Sequence, residues 1–275
     1  MAIKHNFIIE TKKIKLRSQR IVERLGGKRH RRIIFLHIPK CSGSSINLHF
    51  KGNIGSGRSA RVVLFNSMDG SAYNPAEIER ARRAEYVGGH FGWDTLTEIA
   101  EGAFCFTVLR EPVARLRSLY LFCRKLKPEK NAGKFPLDAA RRLSFEQFCL
   151  CEAPHVRAFV DNAQARTLAG DYPLDRFPLE SVEETAKRAI ENLRRLDFVT
   201  VTERLDNVLP ELALASGTRL VSSTIRRNVG QDGPSPSETA KAEFKNLTDS
   251  LRERCIADHW VYEEAMRLDT ARSFG

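Results

Sequence analysis

The chain has 275 residues, enough to bury one sizeable core, and its 42% hydrophobic and 29% charged composition excludes a disordered, fibrous or disulfide-stapled miniature protein. The formal net charge of +11 suggests a polyanion binder until it is divided along the chain: residues 1–32 hold eleven Lys/Arg against Glu10 and Glu23, and the rest is nearly balanced. We read a basic N-terminal arm over 1–31 and one globular domain over 32–275, so no nucleic-acid partner is expected of the body.

In chain order, Ile33–Ile38 is predicted as a fully buried first strand, Pro39–Gly43 as a tight turn, and a helix starts near Ser44. Val62–Phe65 is a short strand, Asn74 caps a helix running to about Ala84 with proline at its first position, and Tyr86–Phe91 is a strand ending in a turn. Phe104–Leu109 is another strand, and Pro112 opens a helix to about Lys125. Lys127–Arg142 is polar and expected as an exposed excursion; Phe145–Leu150 and Phe159–Leu168 follow as helical segments. Ser181 to Glu184 forms a capping box for a helix to about Leu196. Phe198–Thr202 is a late strand, Asp206–Ser216 a helix closed by Gly217, and the segment after Pro236 is helical almost to the terminus, with Ser237 as a cap. Short apolar strands alternating with helices predict an α/β domain with a mainly parallel sheet.

Six cysteines (Cys41, Cys105, Cys123, Cys149, Cys151, Cys255) show no CxxC pair and no zinc-ligand spacing. No run approaches the length of a membrane span, and the N-terminus lacks the apolar centre of a secretory signal, so a reducing cytoplasm is expected. The arm is either a solvated extension or a weak contact for a membrane surface or another polyanion.

The stretch Ile33-Ile-Phe-Leu-His37-Ile-Pro-Lys40-Cys-Ser-Gly43-Ser44-Ser45 puts a buried strand, a turn with one lysine, and hydroxyls at a helix start in immediate succession. Free backbone N–H groups, the positive end of a helix dipole and Lys40 then point at one spot, which suits an anion. Gly43 lets the backbone approach; Ser42, Ser44 and Ser45 offer hydroxyl donors. The lysine precedes the glycine, so this is no Walker loop. An ordinary strand-to-helix turn explains the same residues.

Phe104-Cys-Phe-Thr-Val-Leu-Arg110-Glu-Pro-Val-Ala-Arg-Leu-Arg-Ser118 repeats the logic, with a guanidinium at a strand end and a hydroxyl two turns into the next helix. Ligands of open parallel sheets lie outside the carboxyl ends of the strands, so Arg110 and Lys40 are expected on one edge. Arg115 and Arg117 are read as exposed helix charges.

PKCSGSS after a strand, together with LREPVARLRSLY, resembles the 5′-phosphosulfate loop and the 3′-phosphate motif of sulfotransferases that use 3′-phosphoadenosine-5′-phosphosulfate (PAPS). The likeness is greatest to the family that includes heparan sulfate 2-O-sulfotransferase and bacterial carbohydrate sulfotransferases, and it runs from about Arg32 to the C-terminus. It implies a P-loop-like three-layer fold, PAPS as co-substrate, 3′,5′-ADP (PAP) as product, no metal, and a hydroxyl acceptor on a carbohydrate. Lys40 would meet the transferring sulfate, residues Cys41 to Ser45 would line the loop, and Arg110 and Ser118 would hold the 3′-phosphate.

In Tyr86-Val-Gly-Gly-His90 a histidine closes a strand between the two phosphate motifs, and an imidazole accepts a proton near neutral pH. The resemblance implies His90 as the catalytic base; a buried histidine bonded to a carbonyl is the alternative. His37, inside the first strand, is read as structural, with a side chain that can reach the site from the strand end. Asp161–Gly170 resembles a stretch beside the acceptor groove, which makes Asn162, Gln164 and Arg166 candidates for acceptor contact or for propping the site; the family's usual threonine is Ala165 here. Thr224–Asn228 and the Gly/Pro/Ser-rich run to Pro236 resemble a loop that covers the cofactor, with Arg227 a cofactor contact. Two other classes stay open: a P-loop-type kinase acting on a small molecule or sugar, and a non-catalytic polyanion binder using the arm.

Overall fold

The computed structural model describes residues 32–54, 62–65, 73–127, 129, 135–170, 180–218 and 251–274. The arm over 1–31, the loop with Arg227, and Ser237 lie outside the described residues.

Five strands, β1 (Ile33–Leu36), β2 (Val62–Phe65), β3 (Tyr86–Gly89), β4 (Phe104–Leu109) and β5 (Phe198–Val201), form one sheet in the order β2-β3-β1-β4-β5. Every pairing is parallel, with Leu36 opposite both Gly89 and Thr107, so all strand C-termini share one edge. The chain moves outward from β1 to β2, returns to β3, then crosses β1 to reach β4; the order reverses around β1, where open parallel sheets leave a crevice.

The sheet alternation assigns its two faces. Ile34, Leu36, Val87, Leu109, Val199 and Val201 pack under α2 (Pro75–Arg83), α3 (Trp93–Ile99), α8 (Ala163–Ala169), α9 (Val182–Leu193) and α11 (Ile256–Phe274). Ile33, Phe35, Phe104, Phe106 and Phe198 pack against α1 (Gly43–Ile54) and α10 (Leu205–Ala215). Helices on both faces of a parallel sheet make the three-layer, P-loop-like α/β fold expected. A second core joins α4 (Pro112–Lys125), α5 (Leu137–Arg142), α6 (Phe145–Cys149) and α7 (Pro154–Val160) beside the sheet. Among the described residues no helix is long and apolar enough to cross a membrane.

Local chemistry accounts for the helix starts. Asn74, Ser144 and Ser181 each close a reciprocal capping box, with Glu77, Gln147 and Glu184 returning to the cap N–H. Glu111 accepts from the N–H groups of Val113 and Ala114 ahead of Pro112.

Four expectations need correction. The first strand stops at Leu36, leaving His37 and Ile38 in the turn. Helix α3 was not expected, because its cap, Gly92, offers no side-chain oxygen to announce it. The polar run to Arg142 is not an exposed excursion throughout: α5 buries Leu137, Ala139 and Ala140 on one side and exposes Asp138, Arg141 and Arg142 on the other. The helix read over Phe159–Leu168 is two helices, broken where Asn162 takes the left-handed conformation (φ 45°) that asparagine tolerates better than most residues.

Candidate active site

The turn after β1 departs from ordinary backbone geometry. Lys40 and Ser42 have φ of 72° and 57°, in the left-handed region that non-glycine residues seldom enter, at roughly 1–3 kcal/mol each. The Ser42 carbonyl accepts from Ser45 N–H and Ile46 N–H, starting α1, whose first N–H groups have no partner within the helix and no acidic residue in the first turn.

Lys40 is half-buried, with Nζ 3.7 Å from the centre of the Phe122 ring. Burial, with Arg110 and Lys125 adding repulsion, brings its ammonium down to about 8. Phe122 lies one helical turn beyond Ser118, so Ser118 is on the face of α4 turned toward Lys40. From the end of β4, Arg110 Nη1 donates to the Lys40 carbonyl at 3.4 Å, and Arg110 Nε is buried with no hydrogen-bond partner. Among the described residues neither cation has a carboxylate partner. The strand end and the loop, far apart in sequence, therefore leave two positive groups uncompensated at one place.

His90 follows β3 on the same edge. Its Nδ1 lies 2.8 Å from the His37 carbonyl, which can only accept, so Nδ1 carries the proton and Nε2 keeps its lone pair. Tyr73 donates to the His90 carbonyl at 2.5 Å and steadies the turn. Burial lowers the His90 pKa to about 4 despite the opposing backbone bond, with Lys40 lowering it further. The His37 ring stands 4.3 Å from that of His90 and 5.1 Å from Phe35. Burial first, then His90 and Lys40, hold it well below the ordinary histidine range.

Gly43 is required sterically: a Cβ there would come within 1.7 Å of His37 Nε2. Ser42 Oγ donates to Thr202 Oγ1 at 3.1 Å, which ties the turn to the residue after β5. Ser44 is exposed and Ser45 half-buried. The Cys41 side chain faces inward, its thiol 3.4 Å from Gln164 Oε1 and pushed up to about 12 by burial, so only its backbone can address the loop.

The bonds that Gln164, Asn162 and Arg166 make within the protein suit the propping alternative. Gln164 has no exposed surface; its Oε1 accepts from Arg110 N–H (3.0 Å) and its Nε2 donates to the Arg110 carbonyl (2.9 Å), clamping the backbone beneath the guanidinium. Asn162 Oδ1 accepts from Asp258 N–H, and Arg166 Nη1 donates to the carbonyls of Ala158 and Asp161. Asn162 and Arg166 border a cavity of about 120 Å³ with Arg157, Asp161 and Glu180.

Arg115 also departs from expectation: it is 1% exposed, donates to the Phe159 carbonyl at 3.0 Å and faces Asp258 at 3.9 Å, whereas Arg117 is exposed as expected. Thr202 was not assigned to the site from sequence, and His37 was read as structural with a side chain able to reach it; the signal for both is that each polar residue follows a strand at the edge where Lys40 and Arg110 lie. Among the described residues no three His, Cys, Asp or Glu side chains are grouped to hold a metal ion.

No family model matches the chain, and no curated protein matches it. Among solved structures it is similar to mouse sulfotransferase SULT7A1 complexed with PAP, at 12% identity and a TM-score of 0.33, over 86% of this chain and 89% of that one. A likeness of that size does not bear on the chemistry.

Proposed function

We propose that this chain is a sulfotransferase that moves the sulfuryl group of PAPS to an acceptor hydroxyl on a carbohydrate, releasing PAP. The observation that carries the reading is the pair of cations that, among the described residues, have no carboxylate partner: Lys40 in a strained turn at the start of α1, and Arg110 bonded to the carbonyl of Lys40. One ligand with two separated anionic groups answers both. A bisphosphorylated nucleotide fits, with its transferring end at Lys40 and the backbone of Cys41 to Ser45, and its 3′-phosphate at Arg110 and Ser118.

In this scheme the acceptor oxygen attacks sulfur in line with the departing phosphate oxygen. Its proton passes to Nε2 of His90 as the new S–O bond forms. The old S–O bond breaks, and its electron pair stays on the 5′-phosphate of PAP, where Lys40 and the α1 N–H groups meet the added charge. The hydrogen bond from Nδ1 to the His37 carbonyl keeps the basic nitrogen free for this task. Arg227, which lies outside the described residues, is assigned a further cofactor contact on the resemblance alone. The cytoplasm as compartment and an anionic surface as partner of the basic arm belong to the same proposal.

Thermal unfolding with PAP, PAPS, ATP and ADP, each with and without Mg²⁺, tests the reading. PAP and PAPS at a hundredfold excess over their Kd are expected to raise Tm by about 5 °C or more without Mg²⁺. A response to ATP alone that depends on Mg²⁺ contradicts the proposal and favours a kinase.

A further inference from the structure

We propose that His37 is a ligand-binding residue that donates an imidazole N–H to the anion held at the start of α1, an inference that rests on the sulfotransferase reading. Its backbone is fixed on both sides: the N–H donates to Gly89 O at 3.0 Å, and the carbonyl accepts from His90 Nδ1 at 2.8 Å. The ring is stacked on Phe35, tilted against His90, and its Nε2–Cε1 edge occupies the space above Gly43 that any other residue's Cβ would fill. The loop thus forgoes a side chain at the first position of α1, and the ring's Nε2 edge lies there.

Packing alone does not call for an imidazole. A phenyl ring would stack on Phe35 equally well, as Phe106 does from the next strand at 4.8 Å. Whichever tautomer it adopts, neutral imidazole keeps one N–H and one lone pair, and among the described residues neither ring nitrogen of His37 has a hydrogen-bond partner. A half-buried polar ring without partners beside an uncompensated lysine is completed by an oxyanion, which accepts from the N–H and offsets the charge of Lys40. The titratable and charged groups that face the ring are His90, from the end of β3, and Lys40, from its own loop; Phe35 and Gly43 bring no charge. His37 and His90 then divide the work, the first on the nucleotide and the second on the acceptor.

Two measurements with PAP on the full chain decide this. In the wild type, the ring ¹⁵N resonances of His37 are expected to shift on saturation with PAP; unchanged resonances overturn the inference. In His37→Phe, which keeps the stack and removes the N–H, the Kd for PAP by calorimetry is expected to rise about tenfold or more, and His37→Gln, which restores an N–H donor, to recover part of the loss. Equal affinity for PAP in wild type and His37→Phe overturns the inference and leaves the sulfotransferase reading standing, whereas failure of the wild type to bind PAP overturns that reading and this one with it. If His37→Phe does not fold, the wild-type resonances decide the matter alone.

Discussion

In the proposed reaction His90 must be neutral to take a proton, and Lys40 must be charged to meet a departing phosphate. The two requirements fail at opposite ends of the pH scale. His90, held down to about 4 by burial, loses its lone pair only as pH falls through that value; Lys40, brought to about 8, loses its charge as pH rises through it. If the proposal holds, the expected kcat/KM for PAPS is therefore flat between about pH 4 and pH 8 and falls on either side. A profile with its acid limb near the ordinary histidine value, or one unchanged in His90→Ala, contradicts the assignment. The residues that end strands were readable because burial of a short apolar run forces the next polar residue to the sheet edge, as at His90 and Arg110. Arg115 was not readable, and the sequence left two roles open for Gln164, because their partners, Asp258 and the Phe159 carbonyl for one and the Arg110 backbone for the other, come from segments that only the tertiary fold brings close.

At the scale of elements, α8 holds the site from behind, and α11 holds α8. Ala165 N–H donates to Asp258 Oδ1 at 2.8 Å, Asp258 N–H donates to Asn162 Oδ1 at 3.2 Å, and the clamp on Arg110 sits on the same short helix at Gln164. Asp258 has no exposed surface, and Arg115 opposite it is almost fully buried. Asp258→Ala leaves that guanidinium without its carboxylate, so urea unfolding at pH 7 is expected to show a loss of about 3–5 kcal/mol; a loss below about 1 kcal/mol on the same measurement contradicts the role given to this pair. Burial pushes the Asp258 carboxyl up to about 6, so the folded state binds its proton more tightly than the unfolded chain does. The stability that comes from protonating Asp258 is full below the ordinary carboxylate value of 3.8 and is lost as pH rises through about 6, and Asp258→Asn should remove that slope. Strands and capped helices were legible at this scale, since Asn74 and Ser181 announce their helices by chemistry. The break at Asn162 was not, because it is imposed by the bonds to α11 rather than by a glycine or proline.

For the whole molecule, the decisive property is that five parallel strands deliver their C-termini to one edge with the order reversing around β1. Alternation of strands and helices implied the parallel sheet, and parallelism implied a common edge for Lys40 and Arg110. The strand order could not be read from the chain, because the hydrophobic pattern of a strand buried on both faces is the same at any interior position. The central claim is that the junctions after β1 and β4 grip opposite ends of one nucleotide, and a crystal structure of the full chain soaked in PAP tests it most directly. The account predicts a single PAP molecule with its 5′-phosphate at Lys40 and the first N–H groups of α1 and its 3′-phosphate at Arg110 and Ser118; PAP bound away from this edge, or Lys40 and Arg110 opening into separate cavities, would contradict it.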